Sequence, residues 1–114
     1  MHKDEMRKIL SEHLAKFRAW SYAQLVERVE RDRLSHDCLE HIEATTPDGT
    51  QFQIEFNAFW DDKPHDGVRV CGSFWAEPQR PLLGFIPIYT ADATDSFIMS
   101  PDGRFIGEHD TPVA

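Results

Sequence analysis

Between Gln51 and Trp60 the chain alternates. Phe52, Ile54, Phe56, Ala58 and Trp60 fall on one side, and Gln53, Glu55 and Asn57 on the other. Side chains of a strand point to opposite faces in turn, so this stretch predicts the central strand of a sheet with one covered face. Phe59 interrupts the polar side, and an acidic turn, Asp61 to Asp66, follows.

Upstream the period changes. Met6, Ile9, Leu10, His13, Leu14 and Phe17 recur three and four residues apart, one apolar stripe of a helix over residues 3–18. Ser21, with Gln24 three residues on, forms a capping box and starts a second helix reaching about Arg33. Its stripe is Tyr22, Leu25, Val26 and Val29, and Glu27 stands four residues before Arg31, in the favourable order for an ion pair. Neither helix can hide its stripe alone.

From Cys38 to Thr45 the alternation returns, with Cys38, Glu40, Ile42 and Ala44 on one side. Pro47-Asp48-Gly49 and Pro101-Asp102-Gly103 each carry turn chemistry: proline presets φ, aspartate suits the next position and glycine takes the left-handed one. Further strands are expected over 68–75, about 82–89, 97–100 and 104–107, with a loop at 77–81, a polar connection at 90–95 and a frayed tail at 108–114. Helices followed by strands predict an α+β domain: two N-terminal helices on one face of an antiparallel sheet of five or six strands.

The turn at 47–49 also sets a register. Ile42 should face Ile54 and Ala44 should face Phe52 on the covered side, with His41 against Glu55 and Leu39 against Asn57 on the open side. Pairing Trp60 with Val68 brings Gly72 beneath Phe56 and Ser73 beside Glu55. The open face then carries His41, Glu43, Glu55, Asn57, Arg69, Cys71 and Ser73, with Phe59 and Trp75 among them.

Length and composition bound the rest. A chain of 114 residues, 40% hydrophobic and 28% charged, is expected to form one domain with its own core. It has no apolar run long enough for a membrane span, no secretory signal pattern, and two cysteines without a CxxC spacing. These features predict a cytoplasmic, bacterial protein with reduced thiols. Residues 1–33 hold 8 basic and 6 acidic side chains, a net of +2, whereas residues 34–114 hold 4 and 14, a net of −10. An acidic sheet part disfavours nucleic acid and favours a basic protein partner.

Candidate chemistry is sparse. In the row His41–Glu55–Ser73 the glutamate would separate base from nucleophile, which argues against a hydrolase. Cys38 and His41 point to opposite faces, which argues against shared zinc ligation. The 61–66 turn fails the calcium-loop pattern, because proline and serine fill positions that need oxygen ligands and a glutamate. No cofactor is expected. The candidate contact surface is the acidic turn with the open face: His41, Glu55, Phe59, Asp61, Asp62, His65, Asp66, Arg69 and Trp75. The alternative is a small-ligand or metal-dependent enzyme centred on His41, Glu55, Asp61, Asp62 and His65.

The segments WDDKPHDGVRVCGSFW and DSFIMSPDGRFIGE resemble a family of small uncharacterised bacterial proteins. The shared pattern is an aromatic-Asp-Asp turn, a VRVxGS strand and a closing SFIxxPDGxF hairpin. The resemblance spans roughly residues 48–108 and brings no activity, cofactor or catalytic residue with it. A similar α+β build and acidic character occur among bacterial toxin-immunity proteins, a likeness of architecture that adds inhibition of a partner to the readings.

Overall fold

A computed structural model describes residues 2–76 and 91–107. Two helices, α1 (Lys3–Arg18) and α2 (Tyr22–Ser35), precede four strands, β1 (Glu40–Thr45), β2 (Gln51–Trp60), β3 (Val68–Ala76) and β4 (Ala93–Met99). The strands form one antiparallel sheet in the order β1-β2-β3-β4. No helix among the described residues is long and apolar enough to cross a membrane.

The helices form where the stripes place them. Met6, Leu10, Leu14 and Phe17 of α1 are buried, and each such side chain contributes roughly 1.5–3 kcal/mol by leaving water. Ser21 caps α2 by accepting from the Gln24 backbone N–H at 3.1 Å, while the Gln24 side chain accepts from the Ser21 N–H at 2.8 Å. The helix ends at His36, which adopts the left-handed conformation at φ 61°. The i,i+4 ion pair of α2 joins Arg28 to Asp32 at 3.4 Å, and Glu27 with Arg31 forms none. Glu27 and Arg31 face water, where such a pair gains little.

α1 lies over β3 and β4, and α2 chiefly over β2. Leu10, Leu14, Phe17, Leu25 and Val29 join Ile54, Phe56, Val68, Val70, Phe74, Phe97 and Met99 in one core. The two expected registers hold: Ile42 faces Ile54, His41 faces Glu55, Trp60 faces Val68 and Phe56 faces Gly72.

Leu39 departs from expectation. It does not lie against Asn57 on the open face; it is buried in the core. Its N–H bonds the Phe56 carbonyl at 2.7 Å, and Phe56 also faces Glu40. Two residues thus stand against one, as in a β-bulge, and the extra residue turns Leu39 inward.

The sheet has four strands among the described residues, not five or six. β4 begins at Ala93, within the stretch read as a polar connection, because Ala93 continues the buried side of Phe97 and Met99 while Asp95 interrupts the apolar pattern. The second turn closes as expected, with Ser100 N–H bonded to the Arg104 carbonyl at 2.8 Å. Beyond it, among the described residues, Met99 and Phe105 form an isolated bridge and Ile106 N–H bonds the Ile98 carbonyl, without making residues 104–107 a further strand. The loop expected at 77–81, the strand at 82–89 and the tail at 108–114 lie outside the described residues.

The two turns share a titratable device. Asp48 accepts from the Thr46 hydroxyl and from the Thr50 N–H, and Asp102 accepts from the Ser100 hydroxyl and the Arg104 N–H. These bonds, the hydroxyl ones first, hold both carboxyls below the ordinary aspartate range. A carboxyl whose folded pKa is depressed stabilises the fold above its unfolded pKa, and that contribution fades as pH falls through the folded value. Replacing both aspartates by asparagine should therefore make the fall of melting temperature between about pH 5 and about pH 2 shallower. Circular dichroism melts across that range check it, and an unchanged slope would contradict the assignment.

Candidate functional site

The open face of the sheet is laid out in rows by the register. Phe59 of β2 lies against Arg69 of β3, and Arg69 against Ile98 of β4. The next row is Asn57, Cys71 and Ser96, and the one after it Glu55, Ser73 and Thr94. Ile106 continues the first row, since its N–H bonds the Ile98 carbonyl at 2.8 Å.

Arg69 is the hub of the first row. Its Nε and Nη2 reach Asp61 Oδ1 at 2.9 and 2.8 Å, and its Nη1 donates to Ser96 Oγ at 3.1 Å. The guanidinium therefore ties the acidic turn to the sheet. Asp61 is neutralised by this contact, whereas Asp62 and Asp66 form no ion pair among the described residues. The turn is closed by the Asp61 N–H on the Gly67 carbonyl at 2.9 Å. It is strapped to α2 by Tyr22, whose hydroxyl donates to the Asp66 carbonyl at 2.6 Å. His65 takes a left-handed φ of 67° and sets its ring 5.3 Å from that of Trp60.

Phe59 and Ile106 are 43% and 46% exposed, and with Leu34 on α2 they are the exposed large hydrophobic side chains among the described residues. Trp75, expected to be exposed, is half-buried at the far end of the face, opposite Gln53. Phe59 lies six positions along β2 from Gln53, about 20 Å.

The same spacing separates the members of the enzyme alternative. His41 bonds Gln53 Oε1 at 3.1 Å and lies against Glu55, which accepts from Asn57 Nδ2 at 3.0 Å. Asp61, Asp62 and His65 sit beyond the other end of β2. Among the described residues no three His, Cys, Asp or Glu side chains converge on a point that could hold a metal. Cys71, in the middle of the face, has its thiol pushed up by burial, with Arg69 opposing that shift. Burial first, and then Glu55, likewise push up the thiol of Cys38. Neither cysteine is tuned as a nucleophile.

No family model, no curated protein and no solved structure matches this chain. Its site must be read from its own geometry.

That geometry brings Phe59, Asp61 and Arg69 together with Asp62, His65 and Asp66 of the adjoining turn. It sets His41, Glu55 and Trp75 apart from them. The residues that sequence reasoning missed are Ser96, Ile98 and Ile106. The second Pro-Asp-Gly turn carried a signal for pairing Ile98 with Ile106, whereas placing them and Ser96 beside Arg69 took the β3–β4 register.

Proposed function

We propose that this chain is a non-enzymatic protein–protein interaction module. Its contact surface is the row Phe59–Arg69–Ile98–Ile106 with the adjoining acidic turn, and its partner presents a basic rim around an apolar centre. The observation that supports this reading is the exposure of Phe59 and Ile106 on either side of a guanidinium already fixed by Asp61 and Ser96. Interfaces favour such a centre: an aromatic and an arginine, held rigid, with charge at the edge. Asp62 and Asp66, without ion-pair partners among the described residues, supply the charged edge. The excess of carboxylates in residues 34–114 would steer a basic partner toward it. Inhibition of the partner, in the manner of an immunity protein, is one concrete form of this role in the cytoplasm of a bacterium.

The test is capture from a cell lysate on immobilised protein at low and high salt, read by mass spectrometry. Basic proteins retained at low salt and released at high salt are expected, because contacts at an exposed charged rim are screened. A retained set that is indifferent to salt, or none, would remove the charge argument.

A further inference from the structure

β1 is an edge strand: among the described residues no strand pairs with its outer side. The Thr46 N–H bonds the Thr50 carbonyl at 2.8 Å, in the same register as the β1–β2 ladder. Hydrogen-bonded pairs alternate with non-bonded ones in an antiparallel ladder, so Ala44, Ile42 and Glu40 direct their backbone groups toward β2. His41, Glu43 and Thr45 direct theirs outward, ready for another strand.

We propose that β1 pairs antiparallel with β1 of a second copy of this chain, centred on Ile42, to make one continuous eight-stranded sheet. In this register Ile42 faces its own counterpart, and the two-fold axis places His41 of each copy against Glu43 of the other, twice. The outward backbone groups of these two residues bond each other. An imidazole opposite a carboxylate is a favourable cross-strand pair. Within one copy His41 Nδ1 lies 3.9 Å from Glu43 Oε2 and Nε2 bonds Gln53 Oε1. The Glu43 side chain, 76% exposed, extends far enough to meet the second copy's imidazole as well. Glu40 falls against Ala44, and its carboxylate stays on Lys16 Nζ at 2.6 Å. Centring on Glu43 instead would set two carboxylates face to face, which is destabilising.

The apolar side of β1 supports the same occupant. Both helices lie mainly over the other strands, so Ile42 is only half-buried and Ala44 is exposed although both point to the helix side. A second β1 covers Ile42 with Ile42. The formal net charge of −8 on each copy opposes association, so pairing is expected to be weak and to be seen at high protein concentration in moderate salt.

Sedimentation velocity of the full chain, up to about 1 mM, tests the pairing. A concentration-dependent dimer is expected. His41→Glu and Glu43→His should each weaken it by about fivefold to tenfold, since each alters two symmetric pairs. The double variant H41E/E43H should restore it, because a carboxylate again faces an imidazole. Both positions are exposed, so folding should survive, and circular dichroism confirms that each variant is folded. Register is read by mild oxidation after Cys38→Ser and Cys71→Ser. Ile42→Cys should crosslink to itself, its Cα atoms lying about 4.5 Å apart in a non-bonded pair. Ala44→Cys should not, as its counterparts stand about 13 Å apart along the strands. A monomer at all concentrations, a dimer indifferent to the charge exchanges, or crosslinking at 44 in place of 42 would overturn the proposal.

Discussion

Replacing Arg28 by alanine is expected to cost about 3–5 kcal/mol of folding stability. Arg28 is where α2 holds the start of the sheet. Its Nη2 donates to the carbonyls of Cys38 and Leu39 at 3.3 and 3.0 Å and sits 3.4 Å from Asp32 Oδ2. Asp32, 8% exposed, is the buried charged residue of the described chain. Alanine at 28 would leave that carboxylate in the interior without its counter-charge and free two carbonyls at the bulge that turns Leu39 inward. The pair is also imperfect, because Arg28 Nε and Asp32 Oδ2 are buried without a hydrogen bond. A second expectation follows from that flaw. Leucine at both positions should cost less than alanine at 28 alone, since no unpaired charge then remains. Urea unfolding of the single and double variants checks both statements. A loss below about 1 kcal/mol for Arg28→Ala would show that the pair is solvated and idle.

Gly72→Ala is the second large effect, a loss of about 1–3 kcal/mol from a single added methyl. A Cβ there would lie 2.6 and 2.9 Å from two ring carbons of Phe56 and 3.1 Å from a methyl of Leu10. Neither neighbour can easily give way. Phe56 is wedged by the ring of Phe17 at 5.3 Å and that of His13 at 6.0 Å, and Leu10 is fully buried. Glycine at 72 is what lets α1 and the Phe56 ring approach the same point on β3. Shrinking the ring should relieve the clash, so the cost of Gly72→Ala should fall in a Phe56→Leu background. Thermal melts of the four proteins of that cycle measure the coupling. A Gly72→Ala protein as stable as the original would mean that the sheet relaxes freely there.

How much of this was legible in the sequence follows from the strength of each local signal. The 47–49 turn fixes the β1–β2 register alone. The close approach at Gly72 came from pairing Trp60 with Val68 across the acidic turn, a choice that the alternation of β2 allows without fixing. The helices were readable, since stripe and capping box agree. The Arg28–Asp32 pair was not. Asp32 continues the stripe three residues after Val29, a polar residue at a core position, and that is the trace it left. Leu39 was misplaced because a bulge shifts parity by one residue, and nothing in the composition of β1 marks it. The start of β4 was hidden by Asp95, which breaks the apolar pattern without breaking the strand. Of the candidate surface, the acidic turn and Phe59 were visible in the sequence. That Arg69 neutralises Asp61, and that Ile98 and Ile106 complete the row, needed the sheet.

In the proposed reading this row and its turn, and not acidity in general, make the contact. Lysate capture by three columns tests it most directly: the original chain, Phe59→Ala with Asp62→Lys, and Glu30→Lys. The last two make the same change of charge, one at the proposed surface and one on exposed α2. The salt-sensitive partners are expected to be lost from the Phe59/Asp62 column and kept on the Glu30 column. Equal loss from both, or equal retention by both, would contradict it.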